Sequence, residues 1–431
     1  MKRKLLSFLA AILVAALLGG CTGSLPVGGA PINAVHTATP AKLVEPVWGD
    51  ADTAAEAVAT GANDFAFRLS AALAAEAGNE NFLCSPYSVW LPLAALVNAT
   101  DNANRPALLA ALGAAGITAE DVNRAASRML YNLTNVQNDD EPDPLRIANL
   151  LLVSDKEQPN KDFAKLFADF YRGAVMSADF SSQTAVDTIN RWASDNTEGL
   201  IDSVIQELDP NAVAVLANAI YFSDGWVKEF NEDNTQQGVF HAPDGESEAF
   251  FMYRGGEQRY YEDEQVQLVP LYFKNGGGLY VLLPKDGNAL GLLNDLSADK
   301  FATLCSGTSF RPGTLLLPRF SLETDMALKD ALVALGVPLF EGAPLTGGLI
   351  EGSDPVWISA VTQKAVIEVE EKGTTAAAVT VITAPTAAAP NPESEPPFMM
   401  NCNRPFVFVL CGDTYDGGAQ VLFTGIVNNP Q

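Results

Sequence analysis

The chain offers few side chains that could run a reaction. His36 and His241 are its two histidines, so a metal centre built on several imidazoles is excluded, and a Ser-His or Cys-His hydrolase would have to use one of them. No Gly-x-Ser-x-Gly turn is present to raise a serine nucleophile. The stretch Thr374 to Ala384 suits a different chemistry. Read as a strand, it puts Thr374, Ala376, Ala378, Thr380, Ile382 and Ala384 on one face and Thr375, Ala377, Val379, Val381 and Thr383 on the other. Neither face carries a charge and the first side chains are small. Such a segment can enter the middle of an existing sheet without burying a charge or overpacking the layer below. Gly373 supplies backbone freedom where the chain would turn to enter. The same composition also fits a flexible surface linker, and these residues alone leave that open.

The cysteines fall into two groups. Cys21 closes Leu18-Gly19-Gly20-Cys21, after a basic Lys2-Arg3-Lys4 and an apolar run from Leu5 to Leu18 that is shorter than the roughly 20 residues a helix needs to cross a bilayer. Residues 1–21 are expected to be an export signal that looks like a bacterial lipobox: small residues admit the peptidase, and the Cys21 thiol receives a diacylglycerol. Residues 22–50, rich in Gly, Pro, Thr and Ala, read as a flexible tether. Cys84, Cys305, Cys402 and Cys411 are too sparse for a disulfide framework. Cys402 and Cys411 flank RPFVFVL, a strand long enough to hold their sulfurs roughly 30 Å apart. Buried free thiols are expected.

An insertable segment needs a sheet to receive it. From about Ala51 to Leu73 the apolar positions Ala54, Val58, Phe65, Phe67 and Leu69 have loose helical spacing, and Trp90 to Leu112 repeats the pattern. Later runs, Val213 to Phe222, Gly278 to Leu283, Gly313 to Phe320, Trp357 to Val369 and Pro405 to Leu410, are rich in β-branched and aromatic residues and read as strands. Helices early and strands late indicate an α+β fold, with 48% apolar residues to build its core. The length allows one large domain, and no internal repeat is visible. Asp+Glu 52 against Lys+Arg 26 gives a formal charge of -26, which argues against nucleic acid or a heparin-like polyanion as partner. Between Thr374 and Asn403 no apolar face exists to pin the chain to a core, and PNPESEPP crowds four prolines into eight residues.

From about Ala51 to the end, successive blocks resemble the serpin family. They are Asn81-Phe82-Leu83-Cys84-Ser85-Pro86-Tyr87-Ser88-Val89, then Asn190 and Trp192 with Thr197-Glu198-Gly199-Leu200-Ile201. Leu216-Ala217-Asn218-Ala219-Ile220-Tyr221-Phe222 follows, with Gly225-Trp226, Phe230, Thr235 and Phe240. Leu282-Leu283-Pro284, Leu317-Pro318-Arg319-Phe320 and Leu332-Val333-Ala334-Leu335-Gly336-Val337 continue the series. Glu370-Glu371-Lys372-Gly373-Thr374-Thr375-Ala376-Ala377-Ala378 looks like the hinge of a reactive loop, and Asn403-Arg404-Pro405-Phe406-Val407-Phe408 with Phe423-Thr424-Gly425-Ile426-Val427 looks like the closing strands. Each block is weak alone; their order over most of the chain is specific.

The resemblance implies a serpin domain over 51–431 with a helix-rich N-terminal part, a large central mixed sheet, further sheets and an exposed loop at about 371–403. It implies a monomeric, single-use protease inhibitor without catalytic residues or cofactor. A target serine protease attacks the loop, forms an acyl-enzyme, and is distorted when the cut loop inserts as an extra strand. Counting from the hinge Glu371 places the scissile bond at Ala387–Ala388, with Thr386 and Ala389 as competitors. The loop is longer than the family's, but a cut near Ser394 would draw Pro385 and Pro390 into the inserted strand, where proline removes a ladder donor. Small residues there suit an elastase-like or subtilisin-like protease, and the absence of Lys or Arg between Gly373 and Asn403 excludes trypsin-like ones. Glu371, Gly373, Thr374, Ala376, Ala377, Ala378 and Thr380 match the hinge. Ser85, Ser88 and Asn218 match a polar group beneath the sheet centre, and Trp226 matches the tryptophan where the loop enters. The family's histidine before Lys-Ala-Val is Gln363 here, which removes an imidazole switch but keeps a donor and an acceptor. With Cys21 lipidated, the protein would be an exported, membrane-anchored lipoprotein of the cell surface or outer membrane. A non-inhibitory serpin, cleaved without trapping, is the alternative.

Overall fold

The computed structural model describes residues 33–36, 53–134, 144–197, 199, 201–342, 344–345, 348–352, 355–374, 396–413 and 418–431. All belong to the compact unit Pro31–Gln431. Cys21, Ala376, Ala377, Ala378, Thr380, Thr386, Ala387, Ala388 and Ala389 lie outside the described residues.

Along the chain the helices are α1 Thr53–Ala77, α2 Pro86–Leu96, α3 Arg105–Ala111, α4 Ala119–Thr134, α5 Lys161–Tyr171, α6 Gln183–Asn196, α7 Ala289–Asn294, α8 Ala298–Ser306 and α9 Lys329–Ala334. In α1 the buried residues Val58, Ala62, Phe65, Ala66, Leu69 and Leu73 recur every three or four positions and turn one stripe to the core. The stretch Trp90 to Leu112, read as one helical pattern, is two helices. The Asp101 carboxylate accepts from the Ala103 and Asn104 N–H groups at 2.9 and 2.8 Å, ends the first run and starts α3.

The main sheet runs β1 Asn33–His36, β4 Gly173–Ala178, β3 Leu145–Ser154, β5 Ala214–Phe222, β13 Ala360–Val369 and β12 Phe320–Ala327, in that spatial order. Every residue of β5 is buried, because α2 packs beneath this sheet and α6 packs above it. The second sheet is ordered β15 Phe398–Asn401, β11 Ser309–Pro318, β8 Gly245–Glu262, β9 Val266–Tyr272, β10 Gly278–Pro284, β16 Phe406–Asp413, β17 Ala419–Val427 and β2 Phe82–Cys84, with β7 Gln236–Ala242 on β8. A two-stranded pair joins β6 Asp224–Gly225 to β14 Gly373–Thr374. The architecture is the expected α+β, with helices early and strands late.

Two further readings need amendment. Residues 33–36 fall in the segment read as a tether, yet they form an edge strand antiparallel to β4, with Asn33 opposite Ser177. The exposed edge of β4 offers unpaired backbone groups, and the extended chain before α1 satisfies some of them. Cys84, Cys402 and Cys411 are buried free thiols as expected, whereas Cys305 is half-buried.

Candidate functional site

The site begins at a seam. β5 pairs antiparallel with β3, and β13 pairs antiparallel with β12, but β5 and β13 lie parallel to each other, with Val215 opposite Ala360 and Tyr221 opposite Val366. A strand running the other way between them would make an antiparallel ladder on both sides, the slightly more stable pairing per residue. After β13 the chain reverses through Glu370 to Lys372, with the Glu370 N–H donating to the Gly373 carbonyl at 2.9 Å. Gly373 and Thr374 then pair antiparallel with Gly225 and Asp224, just beyond the end of β5.

Side chains around the mouth hold this turn. Trp226 donates its backbone N–H to the Lys372 carbonyl and its indole Nε1–H to the Glu370 carbonyl, both at 2.8 Å, while its ring stacks on Phe273 at 4.6 Å. The Phe230 N–H donates to the Glu371 carbonyl at 2.8 Å. The buried Glu371 carboxylate accepts from Arg319 Nε at 2.8 Å, from Arg319 Nη2 at 2.7 Å and from Thr235 Oγ1 at 2.5 Å. Burial works to raise the Glu371 pKa, but the Arg319 and Thr235 hydrogen bonds outweigh it and hold the carboxyl below its ordinary value. Thr374 is fully buried, and its hydroxyl accepts from the Asp224 N–H at 3.2 Å. A Cβ on Gly373 would lie 2.1 Å from the Asp224 carbonyl oxygen, so the close approach of the two strands requires glycine.

Below the seam's centre, Gln363 of β13 reaches down to the start of α2. Its Oε1 accepts from the Ser85 N–H at 2.9 Å, and its Nε2 donates to the Ser85 carbonyl at 2.7 Å and to Ser88 Oγ at 2.9 Å. Ser85 Oγ in turn donates to the Leu422 carbonyl of β17 at 2.7 Å. Pro86 starts α2 without needing its own donor, and Ser85 at the N-cap position makes no side-chain cap, its hydroxyl going to β17 instead. Asn218 lies opposite Gln363 in the β5–β13 register, but its Nδ2 donates sideways to Asn149 Oδ1 of β3 at 2.7 Å. Asn149 then donates to the Tyr171 carbonyl at 3.2 Å.

Ser85, Ser88 and Gln363 thus form one cluster, with Asn218 in the adjoining row. Glu371, Gly373, Thr374 and Trp226 form a second cluster at the mouth. Sequence reasoning assigned no role to Arg319, Thr235, Asp224 or Asn149. The first two stood in recognised blocks, and Asn149 stands midway along the mostly apolar strand Leu145–Ser154. His241 sits on an exposed hairpin with Nδ1 3.3 Å from Glu246 Oε1, and no serine, threonine or cysteine side chain bonds to it among the described residues.

Comparison with known proteins agrees with this geometry. The family model described as serpin (serine protease inhibitor) matches residues 60–430. A serpin-like protein of Thermococcus kodakarensis is 29% identical over 384 residues, covering 86% of this chain and 85% of its own. Antitrypsin of Bombyx mori is 30% identical over 381 residues, covering 86% and 93%. Among solved structures, the thermophilic serpin tengpin in its native state superposes with a TM-score of 0.78 at 25% identity, over 93% of this chain and 100% of its own. Human thyroxine-binding globulin complexed with thyroxine gives 0.76 at 22% identity, over 88% and 100%. The protein belongs to the serpin family. Its relatives are mostly protease inhibitors, though thyroxine-binding globulin shows that the fold also serves binding.

Proposed function

We propose that the protein is an inhibitory serpin that traps a serine protease once, by covalent capture and loop insertion. The observation that carries this reading is the antiparallel pairing of Gly373–Thr374 with Asp224–Gly225 at the open end of a seam between parallel strands. The protease serine attacks the carbonyl carbon of Ala387. An ester forms, the peptide bond to Ala388 breaks, and the new amine leaves with a proton from the protease's general acid. Chain beyond Thr374 then continues the ladder, Ala376, Ala377, Ala378 and Thr380 entering first. The stabilisation gained from new strand hydrogen bonds and packing becomes available only after cleavage. Thr386 and Ala389 are the competing positions for the cut. Small residues around the bond favour elastase-like or subtilisin-like targets, and lipidation at Cys21 would place the inhibitor at the cell surface. It acts as a monomer, and its partner is the protease, not a nucleic acid or a heparin-like chain.

Mixing with elastase and running a denaturing gel tests the reading. A band at the summed mass that survives boiling in detergent supports trapping. Quantitative clipping with no such band assigns the chain to the non-inhibitory serpins. Mass spectrometry of the released fragment identifies the bond.

A further inference from the structure

Near the hinge the cations have carboxylate partners: Arg319 pairs with Glu371 at 2.7 Å, Lys274 with Glu229 at 3.0 Å and Lys372 with Glu232 at 3.3 Å. Two do not. Arg254 of β8 is 7% exposed, and neither it nor Lys228 has a carboxylate within ion-pair distance among the described residues. The Arg254 guanidinium lies 4.0 Å over the Phe230 ring, and Nη2 donates to the Lys228 carbonyl. Its Nε is buried with no acceptor among the described residues. The ring offsets part of the cost of burying this charge, but it satisfies no N–H. The chain carries Asp+Glu 52 against Lys+Arg 26, so a carboxylate neighbour would be the common case for a cation here. Burial lowers the Lys228 pKa, and the adjacent Arg254 lowers it further. Lys228 is exposed.

We propose that Arg254 and Lys228 form a binding site for a phosphate-type oxyanion beside the hinge. A planar guanidinium and a mobile ammonium suit such a ligand, which would bring a counter-charge to two cations that have no carboxylate partner among the described residues. The position gives the site a consequence. Lys228 lies between Trp226 and Phe230, whose backbone N–H groups hold the Lys372 and Glu371 carbonyls. An anion bridging Lys228 to Arg254 ties this segment to β8 and stiffens the seat of the loop.

The test is thermal unfolding of the full uncleaved chain with inorganic phosphate, against chloride at matched ionic strength. The expected result is a saturable rise in melting temperature. Phosphate also stabilises proteins generally by exclusion from their surface, a response that does not saturate and is shared by variants. Arg254→Met and Lys228→Met should each weaken the saturable response roughly tenfold or more. Lys228→Met, at an exposed position, guards against a folding defect in the other variant. A response no larger than in chloride, or one kept in Lys228→Met, overturns the proposal. Binding is read on the native protein, so this outcome is independent of whether a protease is trapped.

Discussion

Arg319 closes on Glu371 from just beyond the Phe320–Val369 end of the β12–β13 ladder, with Nε 2.8 Å from each carboxylate oxygen. The two residues brace the turn that delivers Gly373 to β6, and Thr235 bonds the same carboxylate. The turn that seats Gly373 and Thr374 is therefore held by charge and hydrogen bonding together.

Removing that charge should loosen the turn. Glu371→Gln is expected to destabilise the native form by about 1–2 kcal/mol, the small value reflecting the partly exposed Arg319. The folded pKa of Glu371 lies below its unfolded value near 4.3, so its contribution is complete above that pH and is lost as pH falls through the folded value. Melting curves from pH 7 to pH 3 should show the wild type's margin over the variant shrinking below about pH 4.3.

Gly373→Ala puts a methyl group against the Asp224 carbonyl, with a Cβ separation of 2.1 Å before any movement. The strand pair β6–β14 cannot keep its spacing. On a denaturing gel with elastase, the share of inhibitor found in the covalent band should fall and the cleaved share rise. An unchanged partition would separate the seated hinge from the trapping step.

Gln363→Leu leaves the Ser85 N–H and carbonyl without their partner and should cost about 1–3 kcal/mol. Gln363→His should restore stability at pH 8 but not at pH 5. A neutral imidazole can accept from the Ser85 N–H, whereas the imidazolium cannot, and burial without a carboxylate favours the neutral form. The folded pKa then lies below the unfolded value of about 6.5, so stability is complete above that value and declines as pH falls from it. Melting temperature against pH distinguishes the three proteins.

Thiol titration offers a check on packing. Cys84, Cys402 and Cys411 are buried, and burial raises their pKa values; Cys305 is pushed up to about 12 by its burial. A disulfide reagent at pH 8 should modify these four thiols slowly in the native chain, Cys305 first among them, and all four promptly in denaturant. Fast modification of Cys84 would show that the layer beneath the main sheet is open.

Much of the fold was legible because its central strands are apolar and bounded by turn formers: Val213 to Phe222 became β5, and Gly278 to Leu283 lies within β10. The split of Trp90 to Leu112 was missed although Asp101 marks it, since periodicity alone does not reveal a carboxylate bonded to its own loop. Partners across the site were less readable. Arg319 and Glu371 are 52 positions apart, and they meet only through the β12–β13 register, which no local spacing encodes. Asn218 was singled out while its partner Asn149 was not, because one polar residue in an apolar strand points inward without saying toward what. The seating of Gly373–Thr374 depends on where β5 ends in space.

The edge strand Asn33–His36 has one more consequence. Asn33 faces Ser177, which through Val153 stands level with Ala214, the end of β5 remote from Phe222 and the hinge. Eight strand steps, roughly 26 Å, separate those levels. The edge strand therefore stands at the opposite end of the main sheet from the turn that seats Gly373 and Thr374. Under the proposed mechanism, a captured protease drawn the length of the sheet would come to rest at the end that carries Asn33.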